Sequence, residues 1–270
     1  MTDAVLARIA AAGAVAKEQD LYAGGGAEFY DRLVGSDRAE VREVLALARD
    51  AEGPVLDIAA GSGRLTVPLV RSGKRVIAVD LSDDMLSRLR NALHDPGMVE
   101  CVVADMREFS LGRRFDLVVI GATSVTVLDR LGRSRLYETV RRHLAPGGRF
   151  ALTIAGGASA RSLSVSTEQE ISVAGPDGRE TYLFSQQVGA DGGERTVNWV
   201  RLADLARQRE VTVFTSRLGL LTPDALAREL VDAGYDAPAV SPVRTLGEEI
   251  LLLTTTWAGQ ADAGGDDALA

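Results

Sequence analysis

Val55-Leu56-Asp57-Ile58-Ala59-Ala60-Gly61-Ser62-Gly63-Arg64 runs from an apolar segment into an acid and then into a small, glycine-rich turn. Apolar residues at helical spacing follow over 65–70, and a second apolar run, Arg75-Val76-Ile77-Ala78-Val79, ends in Asp80. Strand, tight turn, helix and a second strand with an acid at its tip make a βαβ unit. That arrangement holds a nucleoside, the acid accepting from the two ribose hydroxyls. A cofactor-binding enzyme is the leading expectation.

The turn departs from the dinucleotide form. G-x-G-x-x-G would need a glycine three residues after Gly63, and Thr66 stands there. No G-x-x-x-x-G-K-[ST] loop offers a lysine to phosphates. Asp57, at the start of the loop, would repel a phosphate and suits an ammonium group. An adenosine ligand carrying an amino acid in place of phosphates fits that charge pattern.

Five motifs then occur in order over roughly residues 50 to 155: Asp57-x-Ala59-x-Gly61-Ser62-Gly63; Val79-Asp80-Leu81-Ser82-x-x-Met85-Leu86; Ala104-Asp105-Met106-Arg107; Phe115-Asp116-Leu117-Val118-Val119; and Leu144-Ala145-Pro146-Gly147-Gly148-Arg149-Phe150. In this series the chain resembles the class I S-adenosylmethionine-dependent methyltransferases. The resemblance implies S-adenosyl-L-methionine as cofactor and an α/β fold, a Rossmann-like sheet of seven mostly parallel strands with helices on both faces. It places Ala59, Gly61, Ser62 and Gly63 against the cofactor and gives Asp80 the ribose diol. Asp105 would accept from the adenine amino group, with Leu81 and Met106 flanking the ring and Met85 and Gly121 also at the cofactor. Asp57 would lie beneath the loop and orient it. An acid after a strand can also simply cap the next turn, so Asp105 keeps that alternative.

Composition is that of an ordinary globular protein: 270 residues, 46% hydrophobic and 25% charged. A formal charge of −8 argues against a nucleic-acid partner, which would favour a basic face. The single cysteine, Cys101, cannot form an internal disulfide and reads as a buried structural thiol. Asp3, Arg8, Lys17 and Glu18 interrupt the N-terminal segment, and no uncharged apolar run approaches about 18 residues. The expectation is a cytoplasmic protein with no membrane partner.

Organisation follows from periodicity. Residues 1–50 read as an N-terminal helical lid segment, broken at Gly24-Gly25-Gly26 and resuming at Phe29-Tyr30-Asp31. Residues 51–160 form the cofactor-binding core, with strands near 55–59, 75–80, 99–104, 115–121 and 148–155 and helices near 63–72, 83–94 and 132–144. Residues 161–220 read as an antiparallel β insert, with turns at Gly175-Pro176-Asp177-Gly178 and Asp191-Gly192-Gly193. This insert is the expected acceptor region and a candidate homodimer surface. Thr222-Pro223 opens the last helix, and closing strands complete 221–258. The Gly-, Ala- and Asp-rich stretch 259–270 reads as a disordered tail.

Transfer from a sulfonium needs alignment and, for an amine, only its neutral form; a hydroxyl acceptor calls for a general base. His94 and His143 both fall at helix C-termini, where a histidine complements the dipole, so an amine acceptor is favoured. The segment after the fourth strand reads Gly121-Ala122-Thr123-Ser124. It lacks the [ND]-P-P-[YFW] form of base- and glutamine-modifying enzymes and the clustered acids of Mg²⁺-dependent catechol enzymes, so no metal is expected. What remains resembles bacterial N-methyltransferases of aminosugars, glycine and peptide amines. The stretch from Tyr22 to Asp31 further resembles enzymes of ribosomal-peptide clusters, including daptide-type ones that dimethylate a terminal amine. The resemblance to the small-molecule enzymes puts Tyr22 and Tyr30 at the cofactor or acceptor, Tyr22 at the cofactor and Tyr30 with Thr123 and His143 at the transfer site as positioning groups; simple helix packing is the other reading of the two tyrosines. Trp199 and Arg217 could line the acceptor pocket, or be a packed tryptophan and a surface arginine. The acceptor is then a small molecule or peptide. An O-methyltransferase and a non-catalytic adenosylmethionine-binding protein stay open as alternatives.

Overall fold

The computed structural model describes residues 1–34, 38–207, 209–245 and 249–257, and the tail expected at 259–270 lies outside them. Its elements run α1 (Asp3–Ala11), β1 (Val15–Asp20), α2 (Gly25–Val34), α3 (Val41–Arg49), β2 (Val55–Ile58), α4 (Thr66–Arg71), β3 (Val76–Asp80), α5 (Asp83–Ala92) and β4 (Val99–Val103). Next come β5 (Phe115–Ile120), α6 (Arg130–His143), β6 (Leu144–Ala155), α7 (Gly157–Leu163), β7 (Thr167–Gly175), β8 (Gly178–Val188) and β9 (Glu194–Arg201). The last are α8 (Leu202–Leu205), β10 (Glu210–Gly219), α9 (Pro223–Asp232), β11 (Ala239–Val243) and β12 (Ile250–Thr255). They fall into two compact units, one of Met1–Asp37 and Gly157–Leu221, the other of Arg38–Gly156 and Thr222–Ala270.

The second unit carries a seven-stranded sheet in the order β11-β12-β6-β5-β2-β3-β4. Strands β6, β5, β2, β3 and β4 are mutually parallel, while β12 is antiparallel to both β6 and β11. Every residue of β2 is buried, as are Val76 to Val79 of β3. Burial of successive residues means that both faces are covered, as the continuous apolar runs require. On one side Val44 and Ala48 of α3 and Leu69 of α4 pack with Val55, Leu117 and Ala151. Leu86 and Leu89 of α5 form a second cluster with Ala60 and Ala78. Strand β6 begins at Leu144, earlier than expected, because the Pro146-Gly147-Gly148 segment joins the ladder through a register shift opposite Phe115–Leu117. The chain runs outward from β2 through β3 to β4 and returns to β5 on the other side of β2. The reversal leaves a crevice at the carboxyl ends of β2 and β5, the place where such sheets bind ligands.

The first unit is built on a five-stranded sheet, order β1-β10-β9-β8-β7, antiparallel except where β1 runs parallel to β10. Strand β1 corrects the expectation of an all-helical N-terminal segment. The Ala14 N–H bonds to Ile9 O and the Gly13 N–H to Ala10 O, the paired bonds that stop a helix at a glycine. The following Val15-Ala16-Lys17-Glu18-Gln19-Asp20 has no apolar stripe of its own. Its ladder partners are Glu210 to Thr215, a pairing that local pattern cannot reveal.

A polar row crosses this sheet where an apolar one would be expected. Ser185, Asn198 and Thr215 are register partners on adjacent strands, and all three are buried. The N-terminus of α1 docks into that row: Asn198 Oδ1 accepts the Thr2 N–H at 2.7 Å, and Asn198 Nδ2 donates to Thr215 Oγ1 at 2.8 Å. Thr2 Oγ1 and Ser185 Oγ are 2.8 Å apart, and Thr2 also caps α1 by accepting from Val5 N–H. Asn198→Ala strands two buried polar groups, so a cost of about 2 kcal/mol is expected. Hydrogen exchange at Val5–Ile9 should quicken in this variant; unchanged exchange there would show that α1 is held by its apolar contacts alone.

Candidate functional site

Backbone strain marks one place in the chain. Among the described residues, four non-glycines have a left-handed backbone: Glu40 (φ 52), Ala59, Ala122 and Thr123 (each φ 55). Ala59 directly follows β2, and Ala122 and Thr123 follow β5. Glu40 precedes α3, and its Oε1 accepts the Ala122 N–H at 2.8 Å. Such conformations persist where surrounding structure imposes them, and they gather at functional sites. Gly61 and Gly63 are left-handed as well. At Gly63 a Cβ would come within 2.4 Å of Leu89 Cδ1, so a bare backbone is what lets the loop lie on α5.

Three carboxylates organise the crevice. Asp57 is 1% exposed and accepts from Thr66 Oγ1 at 2.6 Å, so the residue that breaks the dinucleotide pattern is the one that fixes Asp57 beneath the loop. Burial pushes the Asp57 carboxyl up to about 7, the neighbouring Asp80 and Glu40 charges adding to the rise while Thr66 and Arg64 oppose it. Asp80, at the tip of β3, accepts from Gly61 N–H through Oδ2 and from Ser82 N–H through Oδ1, both at 2.8 Å. It thereby joins the two segments expected at the cofactor. Burial raises its carboxyl above the usual range against those backbone donors. Asp105 is held differently. Arg107 donates to it through Nε at 2.9 Å and through its own backbone N–H at 2.8 Å, and these bonds hold the Asp105 carboxyl below the usual range. Any further donor reaching this carboxylate would share it with Arg107.

The remaining expected residues separate. Ala59, Gly61 and Ser62 in the loop after β2 and Met106 in the turn after β4 are partly exposed, Leu81 is 71% exposed, and Gly121 is buried at the end of β5. Met85 is corrected: it is 2% exposed on the core face of α5 and has no surface to offer a ligand. His143 is corrected as a transfer-site group. Its Nδ1 donates to Thr139 O at 2.7 Å and its Nε2 accepts from Leu111 N–H at 3.1 Å, against the rings of Phe109 and Phe115. Both ring nitrogens are committed to backbone, and burial lowers its basicity. Thr123 is partly exposed, its N–H 3.3 Å from Thr153 Oγ1. Tyr22 and Tyr30 belong to the other unit, where their rings meet edge-on at 5.0 Å. There Trp199 is packed in the core and Arg217 is exposed, the plainer of the two readings for each. Glu40 was not singled out by sequence, because an acid before an amphipathic helix looks like a solvated helix start.

The donor set fits a particular ligand. Asp57, Asp80 and Glu40 are three carboxylates drawn out of water, the charges of Asp80 and Glu40 bearing on Asp57, and the Arg64 guanidinium pairs with Glu40 and offsets the charge at Asp57. Phosphates would be repelled, whereas hydroxyl donors and an ammonium or sulfonium group are accommodated. The methionine and ribose portions of S-adenosylmethionine offer these groups. A family model described as a methyltransferase domain matches residues 55–148, which span this crevice from β2 into β6. The glycopeptide N-methyltransferase MtfA, solved with S-adenosyl-L-methionine, is 32% identical over 81% of this chain and 92% of its own, with a TM-score of 0.59. Its sinefungin complex aligns over 96% of this chain and 98% of its own at 30% identity, with a TM-score of 0.65. The chain belongs to the class I S-adenosylmethionine-dependent methyltransferases. Among curated relatives, this methyltransferase is 30% identical to a cypemycin N-terminal methyltransferase from a Streptomyces species, over 59% of this chain and 58% of the relative. A dTDP-3-amino-3,4,6-trideoxy-alpha-D-glucopyranose N,N-dimethyltransferase of Streptomyces venezuelae is 32% identical over 41% of this chain and 47% of its own length. The methyltransferase therefore spans about half the length of these curated relatives.

Proposed function

We propose that this methyltransferase methylates an amine of a small molecule or a peptide N-terminus in bacterial specialised metabolism. One observation carries the preference for nitrogen: the core's buried histidine has both ring nitrogens tied to backbone, and the chain's other histidine, His94, is exposed in the turn beyond α5. An acceptor that must lose a proton before attack finds no histidine base here. An amine bound in its neutral form needs none. The names of the similar proteins, a peptide N-terminal, a glycopeptide and an aminosugar N-methyltransferase, support the same reading.

Bound S-adenosylmethionine supplies a methyl group already activated on a sulfonium, so the residues of this chain have to bind, orient and exclude water. Asp80 accepts from the ribose hydroxyls through the lone pairs that Gly61 and Ser82 leave. Ala59, Gly61 and Ser62 carry the backbone close to the methionine portion. Leu81 and Met106 cover the adenine faces, and Asp105 accepts at its edge alongside Arg107. Asp57 holds the loop through Thr66 and favours a cationic ligand. Thr123, just past the end of β5, acts on the acceptor by position.

Two measurements test this. Titration calorimetry with S-adenosylmethionine should give binding that Asp80→Ala weakens about 100-fold, or about 2.7 kcal/mol, through loss of two charge-assisted hydrogen bonds. Mass spectrometry should then detect methyl addition to aminosugars or peptides with a free N-terminus and none to their N-acetylated forms. Methylation confined to hydroxyl acceptors would overturn the amine assignment, and equal binding by Asp80→Ala would overturn the site.

A further inference from the structure

The loops after β2 and β5 are joined by a residue that lies in neither. Glu40 is 2% exposed, and one of its carboxylate oxygens, Oε1, receives both the Ala122 N–H and the Arg64 guanidinium. Arg64 is part of the glycine loop, immediately after Gly63, and its own side chain is only 16% exposed. A single buried oxygen therefore binds one loop through its backbone and the other through a charged side chain. Gly121 makes room for it: a Cβ there would lie 2.6 Å from Glu40 Oε1 and 2.6 Å from Leu65 Cδ1. The strain gathers at this contact: among the described residues, Glu40, its donor Ala122 and the following Thr123 are three of the four left-handed non-glycines.

We propose that Glu40, acting through Arg64, is a positioning residue that holds the two cofactor-facing loops in their ligand-competent conformation. The proposal rests on the reading of those loops as the cofactor site. Left-handed backbone at Ala122 and Thr123 is a minor conformation for residues with a Cβ, and a carboxylate accepting the Ala122 N–H selects it. A helix-start acid serving only α3 would sit in solvent and bond the first turn of its own helix. Glu40, the N-cap of α3, instead makes no side-chain capping bond to the helix and sends its oxygen across to Ala122. Arg64 also bears on Asp57, whose charge it favours while Glu40 opposes it, so the pair sets the field as well as the geometry beneath the loop.

The test compares Glu40→Ala, Glu40→Gln, Arg64→Met and the double variant Glu40→Gln/Arg64→Met with wild type and Asp80→Ala. Affinity for S-adenosylhomocysteine is read by calorimetry, and each variant's unfolding midpoint is recorded separately. Glu40→Ala is expected to weaken binding about tenfold, with Glu40→Gln, which keeps an acceptor for Ala122, recovering part of the loss. Arg64→Met should resemble Glu40→Gln, and the double variant should be no worse than the poorer single one, because the two side chains act as one unit. The double variant removes both charges of the pair together, so neither is left stranded by loss of the other, and it is the variant read if Glu40→Ala does not fold. Wild-type affinity in the folded variants, with only the unfolding midpoint lowered, would reduce Glu40 to a structural residue and overturn the proposal. Wild-type protein that does not bind, or binding unaffected by Asp80→Ala, would instead overturn the reading of the loops and the positioning role with it.

Discussion

Asp57→Asn is expected to stabilise the ligand-free protein by about 4 kcal/mol at pH 8 and by almost nothing near pH 4. The ordinary aspartate value of 3.8 is raised to about 7 at Asp57, with burial as the largest cause. The folded state therefore holds this proton more tightly than the unfolded state does. Its contribution is fully present below pH 3.8, shrinks as pH rises and is gone once pH passes about 7. At about 1.4 kcal/mol for each unit over some three units, the loss is about 4 kcal/mol. Asparagine carries no charge to desolvate and keeps an oxygen for the Thr66 hydroxyl, so it escapes the penalty. Urea unfolding at a series of pH values checks this: the difference between variant and wild type should grow from pH 4 to pH 7 and then level. A difference independent of pH, or a variant less stable at pH 8, would show that Asp57 is not held near neutrality. The same substitution should weaken binding of S-adenosylmethionine at pH 8, because a desolvated carboxylate gives up stability in the empty protein to favour a cationic ligand.

Why Asp57 could be found in the sequence, and Glu40 could not, is a matter of range. Apolar runs ending in acids and a glycine turn are local signals, and β2, β3, β5 and the loop after β2 are encoded by residues adjacent in the chain. Thr66 was visible as a departure from the dinucleotide pattern, although its hydroxyl bond to Asp57 was not. Partnerships across the fold leave no local trace. The pairing of β1 with β10, the reach of Glu40 to Ala122 and the capture of His143 by Leu111 N–H each join segments that only the folded sheet brings together. Met85 shows the converse limit. It stands at a motif position and at the right helical spacing, yet the face that α5 turns inward decides that it packs. Arg107 was legible as a neighbour of Asp105 but not as its partner, since a two-residue spacing becomes a contact only in the turn that follows β4.

Glu229→Ala should cost about 3–5 kcal/mol, a large share of the about 5–15 kcal/mol that separates a typical domain from its unfolded state. Glu229 on α9 takes both arms of Arg133 from α6, Nε to Oε2 and Nη2 to Oε1 at 2.7 Å each. Arg133 is 7% exposed, and its remaining Nη1 donates to Leu128 O at 2.7 Å. Tyr137, one turn further along α6, donates to Glu229 Oε2 at 3.2 Å, and burial pushes its phenol well above the usual range. Tyr235, just after α9, donates to Tyr137 O at 2.7 Å and closes the network. Truncating Glu229 leaves a guanidinium out of water with one carbonyl for company, and that uncompensated charge, rather than the lost attraction, is the source of the cost. The double variant Arg133→Met/Glu229→Met removes both charges and fills the same space, so it should lie between neutral and about 4 kcal/mol more stable than wild type. Urea unfolding of the two variants separates the cases. A double variant as unstable as Glu229→Ala would mean that the ion pair itself, and not the avoidance of a stranded charge, is what secures α9 to α6.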